Sequence, residues 1–274
     1  MALVGWQDMS GQSIRMLTVI PLSLVRIVAS EDLSARIVSA VRKMGIRVKQ
    51  GDIVAVSSKI VSISEGRLAR VSSVEPSASA RRLARRLMMN PKLVQVVLNE
   101  ADQVLGGVKG TLLTVKCGIL AANAGVDEKN APKDHVVLWP EDPERSARNL
   151  RDGLALAFRK ELSVIIVDSH VTPLRLGTSG FALAIAGSPG VLDYRGLKDL
   201  SGRVIRITRQ NLADDLASSA HAVMGEGAES TPAALIRMTR ATLRGRGSTS
   251  LKMHPRRCLI LGTLWRKQGH SRLT

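Results

Sequence analysis

Three carboxylates stand at sequence positions that suit divalent metal binding. Asp127 lies in a polar loop, Asp168 directly follows the apolar run Val164–Val167, and Glu226 lies between two glycines. A hard divalent cation takes several oxygen ligands from backbone that can approach it closely. Each residue taken singly is also an ordinary turn or cap residue. Composition alone does not decide between the two interpretations.

The sequence lacks several other catalytic signatures. There is no GxxxxGK[ST] loop of ordinary NTPases, and the glycines around Glu226 lack the third glycine of a dinucleotide-binding turn. Asp168, Ser169 and His170 are adjacent, but neighbours on an extended strand point to opposite sides, so we do not expect a hydrolase triad. Cys117 and Cys258 have no CxxC partner, so neither a disulfide framework nor a zinc site is expected.

The elements that must position these residues alternate irregularly between strands and helices. Several strand-to-strand steps favour a mixed α+β fold over a doubly wound parallel sheet. A strand within residues 17–28 should precede a helix that starts after Ser30, whose hydroxyl could cap it. Further strands are predicted at 53–56 and 60–66 (two strands or one bent strand), 112–115, 136–138, 163–167, 181–186, 204–208 and 233–236. Further helices are predicted at 77–105 with a break at Asn90-Pro91, at 142–159 and at 212–223.

The positive charge is concentrated near the C-terminus. The 274 residues include 40 Lys and Arg against 23 Asp and Glu, a formal net charge of +17. Ten of the basic residues and no acid lie in 237–274, which leaves 30 basic against 23 acidic residues before them. Basic faces bind phosphates by counterion release, but aromatic residues are only 2% of the chain, too few for base-stacking platforms. Nucleic-acid binding is therefore not expected, apart from the basic tail.

The apolar segments are short. No run of 18 or more apolar residues occurs, and the residues before Met16 lack the basic-then-apolar order of a signal peptide. We expect a cytoplasmic protein with no membrane partner.

Seven segments share an order and spacing that is specific, although each is common alone. They are Ile20–Ser23; Gly51–Ser62 with Glu65-Gly66; Asn123–Asp127 with Asn130; Asp142-Pro143 with Ser146-Ala147; Val167–Ser169 with Arg175 and Gly177; Gly180–Ala182 with Ala186-Gly187; and Met224–Gly227. Together, over about Val19 to Arg237, they resemble the coenzyme F420-0:gamma-glutamyl ligase family.

This resemblance implies a gamma-glutamyl ligase-like α+β domain that pairs into a homodimer. The domain would span residues 16–237, between an uncertain N-terminal extension (1–15) and a basic C-terminal tail (238–274). The implied activity adds L-glutamate to coenzyme F420-0 with GTP hydrolysis, through an acyl phosphate.

The resemblance also implies site residues. Asp127, Asp168, Ser169 and Glu226 would form the divalent-metal set for Mg²⁺ or Mn²⁺, with K⁺ as a further candidate, and the three carboxylates would be the catalytic groups. The implied nucleotide contacts are Ile20, Pro21, Leu22, Ser23, Ser58, Lys59, Asn130, Met224, Gly225, Glu226, Gly227, Ala228, Glu229, Ser230 and Thr231.

Two positions depart from the family pattern and keep alternatives open. Ile63 and Thr172 stand where the family usually has a lysine and an arginine. The loss of two phosphate-binding cations motivates a second hypothesis, a related ligase acting on another carboxylate. A third hypothesis is a basic nucleic-acid-binding protein that uses the tail.

Overall fold

The computed structural model describes residues 16–25, 27–238, 246–248 and 250–267. The chain divides into two compact units. The first consists of residues 1–69 and 137–250, and the second of residues 70–136 and 251–274. The fold is α+β, as predicted, with parallel and antiparallel strand pairs. The predicted extension at 1–15 lies outside the described residues.

The described elements are as follows. The strands are β1 (Leu17–Leu22), β2 (Ile53–Ser57), β3 (Leu68–Arg70), β4 (Gln103–Val108), β5 (Thr111–Lys116), β6 (Ile119–Ala122), β7 (His135–Val137), β8 (Ser163–Val171), β9 (Thr178–Ala186), β10 (Val191–Asp193), β11 (Arg209–Asn211), β12 (Ala233–Met238) and β13 (Arg246–Ser248). The helices are α1 (Leu33–Lys43), α2 (Ser58–Ser64), α3 (Ala78–Leu87), α4 (Pro91–Glu100), α5 (Pro143–Phe158), α6 (Leu212–Met224) and α7 (Leu259–Lys267).

A five-stranded sheet in the order β1-β12-β2-β8-β9 forms the core of the first unit. β2 and β8 are parallel, and the other neighbours are antiparallel. β1, β2 and β8 therefore run in one direction, so their carboxyl ends meet at one edge of the sheet, together with the amino ends of β9 and β12. We call this the carboxyl edge. Pro21 lies in β1, an outer strand of this sheet, where a missing N–H is tolerated.

The sheet is buried on both faces. Val54, Ala55 and Val56 are consecutive in β2 and fully buried, although their side chains alternate between faces. Helix α6 packs against β9, β8, β12 and β1, and α5 packs against β9, β8 and α1. A strand that is buried on both faces has a continuous run of apolar residues. This pattern is why β2 and β8 could be predicted from the sequence.

Several predicted boundaries are confirmed by caps. Asp142 caps α5, accepting from Arg145 N (2.9 Å), and Arg159 ends it in a left-handed conformation. Asn90 caps α4, with Pro91 at its first position. The predicted strands at 112–115, 136–138, 163–167, 181–186 and 233–236 correspond to β5, β7, β8, β9 and β12, and the predicted helix at 212–223 to α6.

Four local predictions were wrong. Asp32, not Ser30, caps α1, and Ser30 lies in the preceding turn with φ 63°. Residues 60–66 are not a strand: α2 begins after Ser57, whose hydroxyl accepts from Lys59 N (3.3 Å). The helix predicted to 105 ends at Glu100 and is followed by β4. Residues 204–208 contain only an isolated bridge from Val204 to Lys198.

The second unit contains a sheet in the order β4-β5-β6 and the paired helices α3 and α4. Thr114 in β5 accepts from Ala124 N and donates to Ala121 O. This contact holds the start of the Asn123–Asp134 loop against the sheet. Helix α7 of this unit lies in the segment predicted as a basic tail, as does β13 of the first unit.

None of the helices in the described part of the chain is both long and apolar enough to cross a membrane.

Candidate active site

A bulge in β9 lies next to Asp168. Ile166 pairs with Ala184 but Val167 pairs with Ala182, so Leu183 is the extra residue. Ala182 N donates to Asp214 Oδ1 (2.9 Å) at the start of α6. Bulges are common next to functional sites, and the neighbouring ladder pair places Asp168 opposite Phe181 at the carboxyl edge.

The Asp168 carboxylate receives hydrogen bonds from three residues of the first unit. Ser58 Oγ, at the start of α2, donates to its Oδ2 (2.9 Å), and Trp139 Nε1 donates to the same oxygen. Ser169 N donates to Oδ1 (2.7 Å). Asp168 is therefore held in one orientation at the point where β2 and β8 end.

Glu226 lies in the loop that follows α6. Its Oε1 accepts from Thr178 Oγ1 (3.1 Å) and contacts His221 Nε2 (2.9 Å), and Ser169 also donates to the carboxylate. Burial disfavours the charged form, but the hydrogen bonds from His221, Ser169 and Thr178 outweigh it and lower the pKa of Glu226. Ser169 thus connects the two carboxylates, since it follows Asp168 and contacts Glu226.

Gly180 allows α6 to approach β9 closely enough for these contacts. A Cβ at this position would lie 2.5 Å from His221 Cβ and 2.7 Å from Ala217 O. Ser218 Oγ donates to Gly180 O (2.7 Å) across the same contact. The glycine therefore determines where His221 stands relative to Glu226.

The loop from Met224 to Thr231 packs beside the end of β1. Leu24 N donates to Ser230 O (3.2 Å), and Thr231 Oγ1 donates to Met224 O (2.9 Å). Inside the loop, Gly227 N donates to Glu229 Oε2 (2.8 Å). The structure therefore brings two predicted nucleotide segments, Ile20–Ser23 and Met224–Thr231, to the carboxyl edge.

Ser58 and Lys59 reach the same edge because they directly follow β2. Ser57 N donates to Pro232 O (2.9 Å), which ties the end of β2 to the end of the loop. Ser58 is buried against Asp168. The two residues thus lie between the loop and β8.

Two predicted site residues belong to the second unit. Asp127 Oδ1 accepts from Lys129 N (2.7 Å), and Asn130 has φ 59°. These are local turn features of the Asn123–Asp134 loop. The place of Asp127 in the metal set and of Asn130 among the nucleotide contacts stays a prediction.

The side-chain atoms that could bind a metal ion at the carboxyl edge are oxygens. Within the described ranges, no three His, Cys, Asp or Glu side chains group so that they could hold an ion. Asp168, Ser169 and Glu226 offer two carboxylates and a hydroxyl, the ligand type that Mg²⁺ and Mn²⁺ prefer. Mg²⁺ usually keeps several waters and needs only one or two carboxylates. The chemical type of these three ligands therefore fits Mg²⁺ or Mn²⁺.

Sequence reasoning did not identify four residues around these carboxylates: Trp139, Thr178, Asp214 and His221. Trp139 comes from a connection between β7 and α5, and no local pattern links it to Asp168. His221 had a usable signal, because it lies in the last turn of a helix that leads directly into the Glu226 loop.

The chain is similar to one protein family along most of its length. Residues 21–238 match the family described as F420-0:Gamma-glutamyl ligase. A coenzyme F420:L-glutamate ligase of Methanopyrus kandleri is 39% identical over 190 residues, covering 69% of this chain and 75% of that protein. Proteins of the same name are 34% identical over 210 residues in Methanothermobacter thermautotrophicus (76% and 83% covered) and 40% identical over 148 residues in Haloarcula marismortui (54% and 58% covered).

Proposed function

Because the chain belongs to the F420-0:gamma-glutamyl ligase family, we propose that it joins L-glutamate to coenzyme F420-0 through an amide bond, with hydrolysis of GTP. The observation that carries the proposal is the extent of the family match, residues 21–238. That range contains nearly all of the carboxyl edge of the first unit. Three relatives that bear the name coenzyme F420:L-glutamate ligase share 34–39% identity over 190 or more residues.

The reaction proceeds in two steps. A carboxylate oxygen of the precursor attacks the γ-phosphorus of GTP, the bond to the β-γ bridging oxygen breaks, and GDP leaves. The amine of L-glutamate then attacks the acyl carbon, the bond from that carbon to the phosphoryl oxygen breaks, and phosphate leaves as the amine loses a proton. No protein nucleophile is required, so the protein mainly positions groups and stabilises charge.

Asp168, Ser169 and Glu226 would hold Mg²⁺ or Mn²⁺, and K⁺ is a further candidate ion. The place of Asp127 in this metal set stays a prediction. When bound, the ion would neutralise the developing charge on the phosphoryl oxygens. Glu226 would be ionised at neutral pH, since its pKa is lowered from 4.5 by its hydrogen bonds. Ser58 and Trp139 keep Asp168 turned in one direction.

The nucleotide would lie along the carboxyl edge between two segments of the first unit. Ile20–Ser23 ends β1, and Met224–Thr231 connects α6 to β12; a backbone hydrogen bond from Leu24 to Ser230 joins them. Gly225, with φ 76°, lets the loop turn sharply after α6. The net positive charge would favour the polyanionic substrates.

The proposal includes a homodimer. Val171, Leu174 and Leu176 lie in and around the connection between β8 and β9, and the two leucines are fully exposed. Exposed apolar side chains that are close together in this way are typical of protein contacts. Sedimentation of the purified protein at several concentrations would test this pairing.

The first test is a reaction of the purified protein with coenzyme F420-0, L-glutamate, GTP and Mn²⁺, followed by mass spectrometry. One or more added glutamyl units would support the proposal, and replacement of GTP by ATP would test the nucleotide. A mass spectrum with no added glutamate would contradict it.

A second candidate function rests on Ile63 and Thr172. Ile63 lies in α2, next to the carboxyl edge, and Thr172 lies in the β8–β9 connection. If Ile63 and Thr172 adapt the site to another substrate, the protein would release phosphate from GTP only when a carboxylate other than coenzyme F420-0 is supplied. A panel of acids assayed for phosphate release separates this candidate from the first.

A further inference from the structure

Trp139 is a buried residue whose single polar side-chain atom points at the candidate site. The residue is 3% exposed, and its ring centre lies 6.2 Å from that of Phe181, with an angle of 51° between the ring planes. Its Nε1 donates to Asp168 Oδ2. A buried indole N–H needs a partner, and here that partner is a carboxylate of the predicted metal set.

The backbone around Trp139 is held independently of this bond. Arg67 Nε donates to Trp139 O (3.0 Å), and Leu138 N donates to Arg67 O (3.0 Å). The ring cannot turn away from Asp168 without losing its packing on Phe181. Trp139 therefore presents its donor from a fixed position.

Asp168 Oδ2 accepts a second hydrogen bond, from Ser58 Oγ at 2.9 Å. A carboxylate oxygen offers about two lone-pair positions, so the two donors occupy this oxygen. A cation that approaches Asp168 is therefore directed to Oδ1. That oxygen accepts from Ser169 N (2.7 Å), and Ser169 is the residue that contacts Glu226.

We propose that Trp139 is a positioning residue for divalent-metal binding: together with Ser58 it occupies Asp168 Oδ2 and directs the cation to Oδ1, on the side of Ser169 and Glu226. The inference rests on the proposed function, because Asp168 is assigned there to the metal set. The inference identifies Trp139 as a residue that affects metal affinity without itself being a ligand of the ion. Hydrogen-bond partners of metal ligands typically change affinity by about 10–100-fold.

The test separates the N–H group from the ring. Trp139→Phe keeps an aromatic ring against Phe181 and removes the donor, and Ser58→Ala removes the other donor on the same oxygen. Tyr194→Phe is the matched control, because it removes an aromatic hydroxyl that donates to Gln210 (3.0 Å) in β11. Mn²⁺ binding to each purified protein is measured from the electron paramagnetic resonance signal of free Mn²⁺, with melting temperature as the check on folding.

We expect Trp139→Phe to weaken Mn²⁺ binding by about tenfold while Tyr194→Phe binds as the wild type does. Ser58→Ala should also weaken binding, and the double variant should lose less than the product of the two single effects, because both donors act on one oxygen. Equal Mn²⁺ affinity in the wild type and in folded Trp139→Phe would overturn the inference and leave the proposed function intact.

Two further outcomes are decisive. If Trp139→Phe melts too early to be assayed, Ser58→Ala tests the premise that the donors on Asp168 Oδ2 determine metal affinity, because it leaves the ring in place; unchanged affinity in that variant overturns the inference. If the wild-type protein does not bind Mn²⁺, the metal part of the proposed function fails together with it.

Discussion

Two aspartates at opposite edges of the five-stranded sheet show two ways of keeping a carboxylate inside a protein. Asp52 directly precedes β2 and is 1% exposed. Arg237, in β12, binds it through Nε (2.8 Å) and Nη2 (2.6 Å), and Lys49 N also donates to it (2.7 Å). Asp168 stands at the carboxyl edge, half-buried, and accepts from Ser58, Trp139 and Ser169 N.

The difference lies in what surrounds each charge. The charge of Asp52 is balanced inside the fold by a guanidinium, in the bidentate geometry that makes such pairs strong. The hydrogen bonds that orient Asp168 come from a hydroxyl, an indole and a backbone amide, and a second carboxylate, Glu226, is connected to it through Ser169. Two carboxylates placed near each other suit a bound cation. The ion pair at the first edge stabilises the fold, and the arrangement at the second edge suits the metal binding that we propose.

The largest effect should come from breaking the Asp52 pair. Arg237→Leu leaves a buried carboxylate without its guanidinium, which typically costs about 3–5 kcal/mol of unfolding free energy. Urea denaturation measures the loss. Arg209→Leu is the control, because its contact with Asp193 is exposed and longer, at 3.6 Å, and should cost under about 1 kcal/mol. Equal losses in the two variants would contradict the structural role assigned to Asp52.

Asp168→Asn should reduce turnover without unfolding the protein. The amide keeps the size of the side chain but removes the charge, so the fold should remain. Metal-dependent turnover should fall by at least about 100-fold, because losing a ligand costs more than losing a residue that hydrogen-bonds to a ligand. Glutamate addition measured against Mn²⁺ concentration, with circular dichroism as the folding check, tests this. Retained activity would remove Asp168 from the metal set.

Gly180→Ala should affect both properties at the carboxyl edge. The new methyl group would meet His221 Cβ and Ala217 O at well under contact distance, and such overpacking costs about 1–3 kcal/mol. Displacement of α6 should also weaken Mn²⁺ binding through Glu226. Ser179→Ala, one residue earlier in β9, should leave the melting temperature and the Mn²⁺ affinity close to the wild-type values. Unchanged Mn²⁺ affinity in Gly180→Ala would show that α6 does not position Glu226.

The smallest effect concerns pH. The pKa of Glu226 is lowered from 4.5 in the folded protein. Its contribution to stability is therefore fully present above pH 4.5 and is lost as the pH falls through the lower folded value. Glu226→Gln removes this contribution, so its melting temperature should fall less than that of the wild type on acidification below pH 4.5. Parallel curves for the two proteins would argue against the contacts with Thr178, Ser169 and His221.

The sequence predicts the fold where one local signal dominates. The continuous apolar runs of β2 and β8, the Asp142-Pro143 start of α5 and the Asn90-Pro91 break are examples, and each is confirmed. It fails where tertiary contacts override propensity. Ile60, Val61 and Ile63 favour a strand, yet they lie in α2, whose buried side packs against β2 and β8. The Val204–Thr208 run alternates between apolar and polar residues, but its backbone bonds to residues 194–198 form one isolated bridge rather than a regular ladder.

The candidate site is predictable only in part, for the same reason. Asp168, Ser169 and Glu226 are visible as oxygen donors after a strand and in a glycine loop. Trp139 reaches Asp168 from the connection before α5, and Thr178 reaches Glu226 where α6 packs against β9. Both are contacts between residues that are distant in the sequence. No local pattern in the sequence encodes which indole will face which carboxylate.

The position of β12 has a consequence for the way the first unit is made. This strand, residues 233–238, lies between β1 and β2 and bonds to both. During synthesis β1 and β2 leave the ribosome early, but they have no hydrogen-bonded connection to each other until β12 arrives. Pairings this distant along the chain slow folding and leave strand edges open while they wait. Because the Glu226 loop leads directly into the start of β12, the carboxyl edge is incomplete until β12 has joined the sheet.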